Sequence, residues 1–430
     1  MLTQKFSRRS VLRAGAAAAI AAPAILRSGS AQAAGRLIKI GFVSPRSGAL
    51  AQISEGDGFV LNKVLEALGG KIVIGDTTHD VQIIEKDTQS DANRAAELAA
   101  ELILRDEVDI ILAGLTPDTV NPVSDQAEAN GVPCVTTGAP WESWYFGRGG
   151  EPGKTDFKWT NHFFWGSADL QAVYLELWQS QSTNKVVGAL WPNDPDGIAF
   201  SDPAFGFPPV LAAQGFSLID AGRFQNLKDD FSAEIAKFKS AGVEIVTGVM
   251  LSPDLATFLV QSKQQGFHPK IVTVAKAALT PTTVESFPDG LGENLSSEVY
   301  WGPQFPFHSS ISGESAADLV AAYEAQTGSP WQQPIGFSYA LLEVGIDALR
   351  RATALTPEAI GEAVRSTDLD TMLGHVKWGD LQGFPNVART PLAIGQWQRD
   401  AERPAEHLVV THNGHFPSVA IDGQFKPKVW

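Results

Sequence analysis

Few residues in this chain stand at the spacings that chemistry requires. Asp194 and Asp196, in Trp191-Pro192-Asn193-Asp194-Pro195-Asp196-Gly197, are two neighbouring carboxylates. Such a pair fits acid–base work or a bound cation, and it equally fits a polar loop. Arg148-Gly149-Gly150-Glu151-Pro152-Gly153-Lys154-Thr155 ends as a phosphate-binding loop does. Arg148 fills the place of the first required glycine, and no helix start follows, so the segment reads as a flexible surface loop. Gly336-Phe337-Ser338-Tyr339-Ala340 lacks the second glycine of a hydrolase elbow and falls inside a helical pattern. No Gly-x-Gly-x-x-Gly follows the first strand, which weighs against a dinucleotide enzyme. The eight histidines show no His-x-x-x-His or Cys-His spacing, so a metal site has no support. The single cysteine, Cys134, lies in the apolar run Val132–Thr136 with no base marked nearby, and reads as a small core residue. The expectation is a protein that is not an enzyme and carries no cofactor or metal.

The elements around these residues alternate strand and helix almost throughout. Leu37–Val43 is a short apolar strand that runs into a Ser-Pro-Arg-Ser-Gly loop, and Gln82–Glu85 is another. Asp91 caps a helix whose Ala95, Leu98, Ala99, Leu102 and Ile103 form one apolar face. Val108–Leu112 is a continuous apolar strand, as a sheet covered on both faces needs. A helix over 117–130 presents Val120, Val123 and Ala127, closes at Gly131 and leads to a strand at 132–136. Val186–Leu190, Ile245–Met250 and Ile271–Val274 continue the strand series. Between them lie a helix through Phe231, Ile235 and Phe238 and one capped by Ser252 with Pro253 in its first turn. A long helix covers 335–352, and Thr356-Pro357-Glu358 starts another. This alternation predicts an α/β fold with parallel sheets. Ligands in such folds sit at the carboxyl ends of strands, here the loops 44–58, 114–119, 137–145, 191–201, 250–253 and 275–281. No low-complexity linker divides the chain, so two domains must share several crossings.

Composition narrows the partners. The chain has 33 basic and 48 acidic residues, a formal charge of −15. Residues 1–33 contain five basic residues and no acid, so the remainder is five charges more negative. A body this acidic repels nucleic acid and anionic lipid surfaces. Ser7-Arg8-Arg9-Ser10-Val11-Leu12-Arg13, the soft apolar run Ala14–Leu26 broken by Pro23, and Ala31-Gln32-Ala33 read as a secretory leader of the twin-arginine kind, cleaved near residue 33. The apolar run is too short for a bilayer span of about 20 residues, so no direct membrane insertion is expected after cleavage. The expected location is the periplasm. The roughly 400 residues that remain suffice for two domains.

The order and spacing of these parts resembles the type I periplasmic binding proteins, in particular the leucine/isoleucine/valine-binding subfamily. The likeness covers nearly all of residues 37–430. It rests on Ile38–Val43 followed by Ser47-Gly48, on Asp87-Thr88-Gln89-Ser90-Asp91-Ala92 before an Ala-rich helix, and on Ala113-Gly114-Leu115-Thr116 before Val120-Asn121-Pro122-Val123. Gly131-Val132-Pro133, Thr137-Gly138-Ala139 and Asp229-Asp230-Phe231 complete it. The resemblance implies two Rossmann-like lobes joined by three crossover strands, with lobe 1 at 37–163 plus 300–375 and lobe 2 at 164–299 plus 376–430. It implies a small-molecule ligand in the cleft, closure by hinge motion and delivery to an inner-membrane ABC permease.

The resemblance also implies site residues. A ligand carboxylate would be held by Leu115-Thr116 and by Gly138-Ala139-Pro140, where Pro140 replaces a usual Thr or Ser. Trp191 and Asp196 stand in the loop that usually offers a covering aromatic, and Leu251 lies in the loop 250–253. Lys276 falls where amino-acid binders place an acid for the ligand's ammonium, and a cation there repels an α-amino group. The implied ligand is therefore a small carboxylate-containing molecule, with an aromatic body as one option, and without an α-amino group. Trp141, Trp144, Tyr145, Trp159, Trp165 and Trp191 cluster near the cleft loops, and Trp141 and Trp191 are the candidates to stack on it, or else core residues. Arg46 is a further candidate, or a solvated loop charge. Two other readings stay open: an amino-acid binder for the same importer class, and a ligand-sensing periplasmic subunit of the same fold.

Overall fold

The structure is a computed structural model that describes residues 35–400 and 407–430. The leader expected at 1–33 lies outside the described residues. Six strands come first: β1 (Ile38–Ser44), β2 (Lys71–Ile74), β3 (Thr77–Asp87), β4 (Ile110–Gly114), β5 (Cys134–Thr137) and β6 (Thr160–Phe163). Then follow β7 (Val186–Pro192), β8 (Ser217–Phe224), β9 (Ile245–Val249), β10 (Ile271–Ala275) and β11 (Ser296–Val299). The remainder are β12 (Asp368–Thr371), β13 (Gly374–Lys377), β14 (Val387–Ala388), β15 (Ala393–Gln398) and β16 (His407–His412).

They make two seven-stranded sheets, ordered β14-β6-β5-β4-β1-β3-β2 and β16-β15-β11-β10-β9-β7-β8, and β12 and β13 form a separate hairpin. Pairing is parallel except β2 with β3, β11 with β15 and β15 with β16. The central strands β4, β9 and β10 are buried at every residue, which is why they read as unbroken apolar runs. Helices cover both faces. The fold is the expected α/β pair of lobes with largely parallel sheets.

Local signals hold where a side chain or a glycine carries them. Asp91 accepts from the Arg94 N–H (2.8 Å), and Gly131 takes φ 71° after its helix. At Ser252 the structure differs by one residue: Leu251 is the extended cap, and Ser252 is already helical and makes no capping bond. The expected strand at 82–85 is longer, running over 77–87, because its outer half pairs with β2 to form a hairpin.

Three segments cross between the sheets: the chain after β6, the chain after β11, and the stretch between β14 and β15. The last of these corrects the expected division at 375. β14 pairs with β6, Val387 opposite His162, so residues up to Ala388 stay with the first sheet. The crossing falls at residues 389–392. Among the described residues no helix is long and apolar enough to cross a membrane.

Candidate functional site

Both early crossings carry the same short pattern, an aromatic residue, then Trp, then Gly: Phe164-Trp165-Gly166 and Tyr300-Trp301-Gly302. Gly166 is required by close approach. A Cβ there would lie 2.1 Å from Trp141 Nε1, and at Gly302 it would lie 2.6 Å from Gln304 Oε1. The two crossings meet between the lobes. Phe164 and Tyr300 pack edge-on with ring centres 5.5 Å apart, and Tyr300 stacks on Phe337 at 5.6 Å.

These rings form the floor of a cavity between the lobes. Leu115, Thr116, Gly138 and Pro140 line it from the first lobe, and Asp196, Lys276 and Glu298 from the second. Leu115, Thr116 and Lys276 all have positive φ (72°, 60° and 71°). Non-glycine residues held in that region store strain of order 1–3 kcal/mol each, and such strain gathers at functional sites.

Among the described residues, three buried cavity-lining groups have no hydrogen-bond partner in the chain: Thr116 Oγ1, Trp165 Nε1 and Tyr300 OH. Each is more than nine-tenths buried. A buried polar group left unpaired costs about 1–3 kcal/mol. These three unpaired groups on one cavity therefore call for a polar partner, with an acceptor for Trp165 Nε1.

The second-lobe wall differs, because its charged groups already have partners within the protein. Lys276 Nζ lies 3.1 Å from Asp196 Oδ2. The Lys276 N–H donates to Glu298 Oε1 (3.0 Å), whose other oxygen accepts from Tyr174 OH and Ser297 Oγ, both at 3.2 Å. Burial alone would lower the Lys276 pKa, but Asp196, Asp194 and Asp118 together hold it above its ordinary value. Burial pushes Asp196 up to about 6 against the pull of Lys276, with Asp194 and Asp118 adding to the rise. Burial also raises Asp118 and Glu298.

The lobes touch above the cavity. Thr283 Oγ1 donates to Gln52 Oε1 (2.7 Å), and Ser143 Oγ donates to Asp196 Oδ1 (3.4 Å). Beside the first crossing, the Glu142 carboxylate accepts from Ser167 N (2.7 Å) and Ala168 N (3.3 Å) at the start of the helix Ser167–Ser180. Burial pushes Glu142 up to about 7 even so.

Of the nine candidate residues, Thr116, Gly138, Asp196 and Lys276 line this cavity. The other five do not. Ala139 is buried with an aromatic cluster, and its carbonyl accepts from His162 Nε2 (2.8 Å). Trp141 packs in that cluster against Phe384, ring centres 4.6 Å apart. Trp191 is fully buried against Phe200 and Phe207. Leu251 is a core residue whose carbonyl accepts from Leu255 N (3.1 Å). Arg46 pairs with Glu85 at 2.5 Å.

Two expectations about backbone groups and loops also change. The Leu115 and Thr116 N–H groups donate to Thr137 O (3.1 Å) and Gly138 O (3.0 Å), so Thr116 brings its hydroxyl to the cavity and not its amide. Arg148 is no surface-loop residue. Its guanidinium lies under 5 Å from the Trp144 and Phe157 ring centres and donates to Asp125 and Thr160, with the side chain 1% exposed. Asp194 caps the helix Pro195–Phe200 through Gly197 N (2.9 Å), the polar-loop role. Phe164, Glu298, Tyr300 and Phe337 were not singled out by sequence reasoning. The repeated aromatic-Trp-Gly pattern was the signal that could have found the first and third.

Known proteins give the same architecture. The sequence profile of the periplasmic binding protein family matches residues 37–402. A leucine-, isoleucine-, valine-, threonine- and alanine-binding protein of Pseudomonas aeruginosa is 23% identical over 182 residues, 40% of this chain and 43% of that protein. The chain thus aligns with less than half of that relative's length. A leucine-binding protein of Thermotoga maritima superposes with TM-score 0.71 at 19% identity, covering 88% of this chain and 99% of that one. A solute-binding protein of an ABC transporter from Rhodopseudomonas palustris, solved with 3,4-dihydroxybenzoic acid, superposes with TM-score 0.67 at 15% identity over 90% and 99% of the two chains. With a family match over most of its length and two lobes closed on a cavity at their crossings, this chain belongs to the periplasmic binding proteins, in their two-lobed type I form.

Proposed function

We propose that the chain is the periplasmic solute-binding component of an ABC importer. Its ligand is a small carboxylate-containing molecule with an apolar or aromatic body and no α-amino group, delivered to an inner-membrane permease. The observation that carries this reading is the convergence of three unpaired donors, Thr116, Trp165 and Tyr300, on one apolar cavity. Trp165 Nε1 requires an acceptor from the ligand, and the two hydroxyls can donate to it or accept from it. Lys276 stands at the cavity wall with its charge held by Asp196. Because two of the donors stand on the crossings, a ligand bound to them favours the closed arrangement by its differential affinity. The ligand of the Rhodopseudomonas protein is an aromatic acid without an amine, whereas the name of the Pseudomonas relative is a set of amino acids.

Thermal shift of the purified protein against aromatic and aliphatic carboxylates, amides, polyols and branched-chain amino acids tests this. Binding stabilises the native state by about 2.7 kcal/mol at a hundred times the dissociation constant. The expected result is a clear shift with an amine-free acid. A shift with leucine or valine alone overturns the amine-free assignment.

A further inference from the structure

The charged wall of the cavity limits what an acid can do there. Around Lys276, the one cation among the described residues that line the cavity, stand four carboxylates from three elements. Asp196 and Asp194 belong to the helix Pro195–Phe200 and its cap, Asp118 to the helix Pro117–Asn130, and Glu298 to β11. Tyr174, from the helix Ser167–Ser180, faces Glu298, and Tyr300 completes the ionisable groups. Lys276 is already bonded to Asp196, and Glu298 is bonded to the Lys276 N–H, Tyr174 and Ser297. The cavity therefore has no cation left uncompensated among the described residues that line it.

We infer that this cavity accepts its ligand without adding negative charge: an uncharged carboxamide enters as it is, and a carboxylate enters together with one proton taken from solvent. The inference rests on the reading of this cavity as the solute site. The proton goes to Asp196, whose Oδ2 then releases Lys276 Nζ to the ligand carboxylate. One cation and one anion remain paired before and after, and no covalent bond changes. Asp196 is suited to this because burial and its acidic neighbours have already raised it to about 6. Uptake of one proton makes carboxylate affinity fall by about tenfold for each pH unit above that value.

Isothermal titration of benzoate and benzamide tests the inference, in buffers of different ionisation heat between about pH 6.5 and 8.5. The expected result is close to one proton taken up per benzoate, with affinity falling about tenfold per unit, and none per benzamide, with constant affinity. In Asp196→Asn, which leaves Lys276 unpaired, benzoate uptake of a proton should vanish and its affinity should become independent of pH. Benzoate binding to the unaltered protein with no proton uptake overturns the inference and leaves the solute-site reading standing. Binding of neither probe, with no shift from any other amine-free acid, overturns that reading and the inference with it.

Discussion

The two walls of the cavity are built on opposite plans. The wall formed by the first lobe and the crossings is neutral and unsatisfied: Thr116, Trp165 and Tyr300 keep polar atoms without partners. The second-lobe wall is charged and satisfied within itself, Lys276 with Asp196 and Glu298 with its three donors. Unpaired neutral groups cost about 1–3 kcal/mol each in the ligand-free protein and reward any polar partner that arrives. Buried charges left unpaired would cost far more, so they are closed on each other. Recognition should therefore be carried by the neutral wall, and the charged wall should decide which charge states are admitted.

That contrast can be broken most severely on the charged side. Lys276→Ala leaves Asp196 buried beside Asp118 without its cation. The ligand-free protein should lose about 3 kcal/mol in chemical denaturation, and affinity for an amine-free acid should drop more than tenfold. An unchanged dissociation constant would remove Lys276 from the site. On the neutral side, Tyr300→Phe removes only an unpaired hydroxyl. It should weaken binding by about 1 kcal/mol, roughly fivefold, while the unliganded melting temperature stays level or rises. A fall in stability without a change in affinity would mean that the hydroxyl has a role inside the protein.

The smallest effect sharpens the comparison by extending it beyond the cavity. Burial raises Glu142 and Glu343 to about 7 and Asp57 to about 6, as it does Asp196. Their ordinary values are 4.5 for Glu and 3.8 for Asp. Between those values and 7 the folded chain binds more protons than the unfolded chain, so stability falls as pH rises through the window. The unliganded protein should melt lower at pH 8 than at pH 5. Glu142→Gln should flatten that slope, and a slope of opposite sign would mean that these acids stay ionised in the fold.

Tryptophan shows how far sequence reading reached. Trp141, Trp165 and Trp191 all flank cleft loops, and Trp141 and Trp191 were the preferred candidates. The structure separates them: Trp141 packs in the aromatic cluster with Phe384, Trp191 sits in the second-lobe core, and Trp165 reaches the cavity. Nothing local distinguishes them, because each is buried and each has an indole N–H without a partner. The division at 375 failed for a related reason. β14 is two residues long, and only its pairing with β6 makes it a strand.

Through its resemblance the sequence implied the two-lobed class, and by itself it determined the alternation of strands and helices and the loops at the carboxyl ends of the strands. Those follow from hydrophobic periodicity, caps and turn residues, which act over a few positions along the chain. It also placed Lys276 and Thr116 at the cleft, through their position after strands of recognisable pattern. Only the tertiary structure decided that Lys276 is neutralised by Asp196, 80 residues away in sequence, and that Glu298 and Tyr300 complete the walls. Charge pairing and donor satisfaction depend on distances of about 3 Å between segments remote in the chain. Local pattern does not encode those distances, and the folding of two lobes around three crossings does.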